Sequence, residues 1–504
     1  VTLAMILDMV ADGMADRTLI GNRGNGLTGT TLRAKATAGA VYLASTGADR
    51  LLYLGPNGAA FPVALFAASL AGVPFLPLNY RLGEEQLMEI MSRQGRPLVV
   101  TDAPERVPGV QTIGIKELVS LPAADAPPLR AHEIDSESVA VMLMTSGTTA
   151  APKSAVLRHS NLTAYLFGSV EFASVEESDA TLVSVPPYHI AAVANCLSNL
   201  YAGRRVVYLD AFTPGDWLDV VERQRITHAM VVPTMLSRIV GELETRGVPG
   251  PTSLRSVSYG GAKIAAEVIE KALGIFPETG FVNAYGLTET ASSIAVLGPD
   301  DHREAVASDD PAVRARLGSV GRALPSVEIE VHDDEATVCP PGVVGDIVVR
   351  GPQVAGEYLE EGSKIQADGW FPTRDRGYID DGGFIFVRGR SDDTIIRGGE
   401  NIAPAEIEDV LSRHPAVLEA VVAGVPDAEW GQVIGAFVRL RPAARVEEEE
   451  LRQWVLERLR GSKTPDRVLV VDEFPTTHTG KVLRRELVAL ALTLRDGSGV
   501  SGPG

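Results

Sequence analysis

The sequence predicts an α/β protein: a large N-terminal domain on two parallel sheets, a small antiparallel β-barrel-like subdomain, and a small α+β C-terminal domain. Three observations predict it. Between residues 139 and 300, short apolar β-branched runs alternate with longer amphipathic stretches, the pattern of a parallel sheet covered on both faces. After Gly318 come short strand-like runs set between Gly, Pro and Asp turns, with no long helix among them. Beyond residue 391, helix-like and strand-like segments interleave.

In chain order, 57–72 reads as a helix and 97–101 as a strand, an early α/β unit. Runs 139–144, 181–185, 205–209, 229–232 and 255–258 read as buried strands. Between them 161–172, 188–202, 214–224, 234–244 and 264–276 carry helical periodicity. Segments 327–331, 345–350 and 383–387 are the short strands of the barrel-like part. In the last part 404–413, 447–460 and 481–492 read as helices, and 417–423, 433–440 and 467–471 as strands. The domain boundaries expected are therefore 1–391, with the β subdomain at about 318–391, then 392–494 and a flexible tail from 495 to 504.

With 504 residues the chain exceeds what one compact core spans. Its net charge of −19 and pI near 5.0 argue against a nucleic-acid or anionic-membrane surface. Only Cys196 and Cys339 are present, which gives no disulfide framework or zinc constellation and suits a reducing cytoplasm. Residues 1–14 hold Asp8 and Asp12 and no basic cluster, so a secretory signal is not expected. No apolar run of about 18 residues exists to span a membrane.

Five motifs carry possible chemistry. The run Thr145-Ser146-Gly147-Thr148-Thr149-Ala150-Ala151-Pro152-Lys153-Ser154 follows a buried strand. Hydroxyls, small residues and one lysine at a strand end suit a loop around phosphates. It misses the Walker pattern because Pro152, which has no N–H, stands at the second glycine. In Asn283-Ala284-Tyr285-Gly286-Leu287-Thr288-Glu289-Thr290 a strand end offers an aromatic face, a hydroxyl and a carboxylate, or only a helix cap. Tyr259-Gly260-Gly261-Ala262 allows close backbone approach to a flat ligand, or is simply a turn. The third and fourth motifs are Thr373-Arg374-Asp375 with Gly389-Arg390-Ser391-Asp392-Asp393, and Gly398-Gly399-Glu400 leading into 404–408. The fifth is 475–481, ending in Gly480-Lys481. Each alone reads equally as a surface turn or a solvated charge.

In this order the five motifs resemble the adenylate-forming superfamily of acyl-CoA synthetases, stand-alone adenylation domains and beetle luciferases, over about residues 54–492. The resemblance implies a two-step reaction. A carboxylic acid attacks the α-phosphate of ATP, then a thiol displaces AMP from the acyl-adenylate. It implies ATP or acyl-AMP, Mg²⁺ and coenzyme A as cofactors. Lys481 would bridge carboxylate and α-phosphate, Thr288 would bond that phosphate, and Glu289 would hold Mg²⁺. Thr145, Ser146, Gly147, Thr148, Thr149 and Lys153 would wrap the phosphates, and Asp375 with Arg390 would take the ribose. Tyr285 with Gly260, Gly261 and Ala262 would border the adenine, and Asn283 and Gly286 would belong to the same nucleotide site.

In this family a mobile C-terminal domain turns about a hinge, matched here by Asp392, to bring Gly398, Gly399 and Glu400 to a pantetheine channel. Arg81 and Trp430 match positions that touch the CoA nucleotide in some relatives. The acyl pocket would be lined by Tyr188, His189, Ile190, Ala191, Ala192 and Val193, with Tyr259 and residues 232–235, His189 acting as a gate. The small alanines imply a bulky hydrophobic carboxylic acid as partner, supplied free or as its acyl-adenylate.

Three positions depart from the family pattern. Ala150 and Ser154 replace glycines of the phosphate loop, and Arg374 replaces the glycine of Thr-Gly-Asp. Misplacing one charge-stabilising donor costs about 2.7–4 kcal/mol of barrier. The changes therefore set a second expectation beside the complete ligase: thioesterification of an adenylate made by a partner enzyme. The alternatives are loading of a carrier protein and a non-catalytic adenylate binder.

Overall fold

The computed structural model describes residues 1–145, 153–390, 393–397, 400–427, 430–459, 461–477 and 482–497. The chain forms two compact units. One is Val1–Ile329 with Val349–Phe371, the other Glu330–Val348 with Pro372–Gly504.

The first unit holds two large sheets. In the nine-stranded sheet the order is Arg322–Ala323, Ser292–Leu297, Gly280–Leu287, Ser256–Gly260, His228–Val231, Ala180–Val183, Arg205–Tyr208, Thr18–Ile20 and Leu27–Thr28. Its interior pairs are parallel and its edges antiparallel. The eight-stranded sheet runs Gly362–Ser363, Glu357–Tyr358, Lys153–Arg158, Val139–Thr145, Phe75–Pro77, Arg50–Tyr53, Pro97–Val100 and Gln111–Ile113. It too is parallel inside and antiparallel at one end. Strand–helix alternation foretells only strands joined by crossover helices. Antiparallel neighbours need no crossover helix, so this alternation does not mark them.

Sequence explains several helix limits. Thr213 caps Pro214–Gln224 by accepting from the Asp216 N–H, and proline opens the helix. Gly203 and Gly247, at φ +87° and +65°, close Ile190–Ala202 and Pro233–Arg246. Ala60–Leu70 is apolar except for Ser69 and buried all round. Two helices that the sequence reading omits, Leu3–Gly13 and Gly29–Thr46, join the same core through Leu3, Ile6, Leu7 and Leu32.

Segments of the 318–391 stretch join three different sheets. Arg322–Ala323 edges the nine-stranded sheet, and Glu357–Tyr358 with Gly362–Ser363 edges the eight-stranded one. Glu328–His332, Gly345–Arg350, Phe371–Ile379 and Ile385–Arg390 form a four-stranded sheet. The second unit also carries a sheet of Glu400–Ile402, Ile395–Arg397, Gly431–Leu440 and Val417–Asp427, with Arg467–Val470 parallel to Gly431–Leu440. Helices Pro404–Ser412 and Glu448–Leu456 pack on it around Ile407, Leu411, Leu451 and Val455. Arg484–Gly497 completes this unit. Among the described residues no helix is long and apolar enough to cross a membrane.

Candidate active site

Strand Val139–Thr145 delivers the chain to the serine- and threonine-rich loop, and Lys153–Arg158 carries it back antiparallel, Thr145 facing Lys153. Ser146, Gly147, Thr148, Thr149 and Ala150 lie outside the described residues. At the exit, the Lys153 ammonium stands 2.7 Å from Glu361 Oε1 and 5.9 Å from the centre of the Tyr358 ring. Next to it Ser154 is buried, its hydroxyl donating to Glu360 Oε1 at 3.0 Å and its N–H to Oε2 at 2.9 Å. Glu360 and Glu361 belong to the turn joining Glu357–Tyr358 to Gly362–Ser363, which lies against Lys153–Arg158 with Tyr358 opposite Ala155.

The same turn reaches the second motif. Thr288–Thr290 is a single 3₁₀ turn after the strand Gly280–Leu287. The Glu289 carboxylate accepts the Tyr358 hydroxyl, and its carbonyl accepts the N–H groups of Ala355 and Gly356 at 2.9 and 3.0 Å. Beneath, fully buried Gln353 donates to the carbonyls of Thr290 and Ser293 and accepts from Ser326. Lys153, Tyr358 and Glu289 thus form one connected patch.

On the adjoining strands, Gly260 pairs with Ala284 and Gly286 with Ser293. A Cβ on Gly260 would stand 2.2 Å from the Ala284 carbonyl oxygen, and one on Gly286 1.9 Å from that of Ser292. Both glycines are demanded by strand packing. Gly261, at φ +84°, is required by conformation instead, and Ala262 is exposed beside it. Asn283 donates to the Ser319 carbonyl at 3.0 Å, and Tyr285 is half-buried.

The acyl-side residues separate into two groups. Tyr188 packs edge-on against Tyr80 with centroids 5.9 Å apart and against His189 at 4.7 Å. Burial pushes the Tyr188 hydroxyl's pKa up. His189, Ile190 and Ala191 are half-buried, whereas Ala192 and Val193 sit in the core of helix Ile190–Ala202. Tyr259 is wholly buried, with its hydroxyl 2.8 Å from His302 Nε2. Val232 and Met235 are buried as well. Asn57, which the sequence reading passed over, donates to the Val185 carbonyl at 2.8 Å and anchors the turn before Tyr188.

In the second unit, Asp375 faces Arg390 across neighbouring strands, Oδ1 to Nε 3.3 Å. Asp375 and Thr373 are buried, Thr373 donating to the Ile347 carbonyl at 2.7 Å and accepting the Asp375 N–H at 2.6 Å. Arg374 between them is exposed and has φ +61°. Trp430 is exposed, and the guanidinium of Arg397 lies 5.4 Å from its ring centre. Glu400 pairs with Arg397 through the backbone. Arg484 binds Glu408 at 2.6 Å and Asp393 at 3.4 Å. Lys481, Asp392, Gly398 and Gly399 lie outside the described residues. In the first unit, Arg81 stacks on Tyr80, 5.5 Å from its centre.

Sequence reasoning missed Tyr80, Asn57, Tyr358, Glu360 and Glu361. Tyr358-Leu359-Glu360-Glu361 has no glycine or hydroxyl cluster to mark it, and adjacent glutamates read as a solvated face. Only the antiparallel pairing with Lys153–Arg158 gives them a partner.

Chemically, the first unit presents the Lys153 ammonium, the carboxylates of Glu289, Glu360 and Glu361, and hydroxyls at strand ends, with open space beside Gly261. Among the described residues there is no group of three or more His, Cys, Asp or Glu able to hold a metal. A lone carboxylate such as Glu289 suits Mg²⁺, which commonly takes one or two carboxylates and completes its shell with substrate phosphates and water.

Residues 7–359 match the family model described as AMP-binding enzyme, and residues 406–481 the one described as AMP-binding enzyme C-terminal domain. The chain is 35 % identical over 449 residues to a feruloyl-CoA synthase of Amycolatopsis sp., covering 87 % of this chain and 88 % of the relative. It is 32 % identical over 457 residues to the fatty acid–[acyl-carrier-protein] ligase ScoC of Streptomyces coeruleorubidus, covering 87 % and 86 %. In structure it is similar to o-succinylbenzoate CoA synthetase from Bacillus subtilis in complex with its acyl-adenylate intermediate. That match has a TM-score of 0.82 and 30 % identity, and covers 96 % of this chain and 97 % of the other.

Proposed function

Since the chain belongs to the AMP-binding enzyme family, within the adenylate-forming superfamily, we propose that it is an acyl-CoA synthetase for a bulky hydrophobic carboxylic acid. Membership makes it an acid–thiol ligase. The single observation that carries the finer reading is the patch linking Lys153, Tyr358 and Glu289. It gathers the charge and hydroxyls that joining two anions requires.

In the first half-reaction a carboxylate oxygen attacks the α-phosphorus of ATP, the bond to pyrophosphate breaks, and pyrophosphate leaves with its electron pair. Lys153 would meet the phosphates, Thr288 would bond the α-phosphate, and Gly260 and Tyr285 would border the adenine. Asp375 and Arg390 would take the ribose, and Lys481 the attacking carboxylate. Glu289 would hold Mg²⁺, which when bound neutralises phosphate charge. In the second half-reaction the CoA sulfur attacks the acyl carbon, the C–O bond to AMP breaks, and AMP leaves. We assign Gly398, Gly399 and Glu400 to the pantetheine and Arg81 and Trp430 to the CoA nucleotide. Asp392 is assigned the hinge of a mobile C-terminal domain of residues 392–494. The aromatic set of Tyr80, Tyr188 and His189 supports an acid with a large apolar or aromatic body. Free thiols at Cys196 and Cys339 support a reducing, cytoplasmic setting.

A complete two-step ligase is the reading favoured at Ser154, which sits in an ordinary strand and strains nothing. The second reading, thioesterification of an adenylate made by a partner enzyme, is favoured by Lys153 being engaged by Glu361.

One experiment separates them: acyl-CoA formation read by mass spectrometry over a panel of bulky apolar acids. Each acid is offered free with ATP, Mg²⁺ and CoA, and again as synthetic acyl-adenylate with CoA. Product from both is expected. Product from the adenylate alone establishes the second reading, and product only with a holo carrier protein establishes carrier loading. Adenylate binding with no thioester at all overturns the enzyme. In the same assay Lys481→Ala is expected to abolish the ATP-dependent route and spare the adenylate-dependent one.

A further inference from the structure

The turn at residues 359–361 engages the phosphate-loop exit through two adjacent carboxylates with different partners. Glu360 holds Ser154 twice, through its hydroxyl and its N–H. The Leu359 N–H adds a bond of 2.9 Å to the Ser154 carbonyl. Glu361 places one oxygen 2.7 Å from Lys153 Nζ and the other 3.1 Å from Lys364 Nζ. Bonds from Lys153 and Lys364 hold the Glu361 carboxyl below its ordinary pKa, so it is ionised at neutral pH.

We propose that this turn is a clasp on the nucleotide step, in which Glu360 positions the loop exit through Ser154 and Glu361 competes with the nucleotide's phosphates for Lys153. The proposal rests on the reading that Lys153 meets phosphate. Three features of the chain support it. Serine at position 154 supplies a hydroxyl that the family's glycine lacks, so the departure is a tie. Lys364 lets Glu361 keep a cation when Lys153 leaves, which makes the exchange inexpensive. Tyr358, two residues before Glu360, holds Glu289 in the same way, so both charged groups assigned to Mg²⁺–nucleotide have partners in one short segment. Glu360 and Glu361 are positioning residues.

Because the Lys153–Glu361 pair is partly exposed, its competition is modest. Removing the charge with Glu361→Gln is expected to tighten binding of Mg²⁺ with α,β-methylene-ATP about two- to fivefold. The full chain would be titrated by calorimetry in 0.05 M, 0.15 M and 1 M salt. The Kd ratio between wild type and variant should shrink toward one at 1 M, where the Debye length is about 3 Å. A merely structural role for Glu361 predicts no such trend. Lys153→Ala is the control for the underlying reading and should weaken the nucleotide at least about tenfold, as loss of a charge-assisted bond does. Unchanged or weaker binding by Glu361→Gln, with Lys153→Ala still impaired, overturns the clasp alone. Unchanged binding by Lys153→Ala overturns the phosphate reading itself.

Discussion

Gly260 and Gly286 keep glycine at two strand positions of the candidate site, whereas Ser154 replaces a glycine of the resembling family's pattern, and the positions answer different physical demands. At Gly260 and Gly286 a neighbouring carbonyl oxygen occupies the place of a Cβ, at 2.2 and 1.9 Å. At Ser154 the backbone is regular strand, the side chain is buried, and the hydroxyl is used by Glu360. A family glycine therefore has at least two meanings: space that cannot be filled, and a position that tolerates filling when a partner receives the new group.

The sharpest way to break this contrast is Gly286→Ala. Its Cβ would press on the Ser292 carbonyl and the Ser293 backbone, so the hairpin must open at its bulge. We expect a loss of about 4 kcal/mol, above the usual range for single substitutions, read as a drop in denaturation midpoint with unchanged m. A loss below about 1 kcal/mol would show that the strands part freely and that space is not the demand at this position.

Next in size is Tyr259→Phe, which tests how the glycine-bearing strands are backed. The change leaves the buried His302 Nε2 without its partner while Nδ1 keeps the Gly298 carbonyl. The cost expected is about 2 kcal/mol. Burial holds the His302 pKa below 6.5, so the unfolded chain binds more protons below that pH. The stabilising contribution is complete above 6.5 and declines as pH falls toward the folded-state value. His159 and His228, both lowered to about 4 by burial, likewise lose their contribution as the pH falls from 6.5 toward 4. The Glu361 tie behaves oppositely in position, persisting until the pH falls below 4.5. Mild acid should therefore weaken the packed core before it loosens the clasp. Thermal melts from pH 7 to below 4.5 check the order.

Ser154→Gly probes the other side of the contrast. It removes the hydroxyl bond to Glu360 but leaves the N–H bond, and adds the entropy cost of a strand glycine. Since Glu360 is exposed, we expect about 1 kcal/mol of destabilisation, a fraction of the Gly286→Ala effect. An equal loss would place both positions under the same demand.

How much of this was legible beforehand follows from the same distinction. The parallel strands and crossover helices repeat a period that residue type reveals, and Pro214–Gln224 and Gly345–Arg350 fall at the boundaries expected. Motif order alone placed Lys153, Glu289, Asp375 and Arg390 among the candidates, and the structure joins the first two through Tyr358 and pairs the last two. What sequence could not disclose was which consensus glycine serves φ, which serves space, and which serves neither. Those demands arise from atoms distant in sequence: Glu360 lies 206 residues from Ser154. For the same reason sequence does not disclose that Tyr259 and Val193 are fully buried.

Arg374 carries the distinction to its third case. Here the family's glycine served conformation, because the chain keeps φ +61° with an arginine in place. Thr373 and Asp375 on either side are buried and hydrogen-bonded, so the backbone between them is over-determined and the arginine bears the strain. A residue with a Cβ costs roughly 1–2 kcal/mol in this region, against about 0.5–1 kcal/mol of chain entropy lost by glycine. Arg374→Gly should therefore stabilise the protein by about 0.5 kcal/mol, a small upward shift in Tm. Destabilisation instead would mean that the arginine's own interactions outweigh the strain, and would make Arg374 a retained contributor beside Asp375.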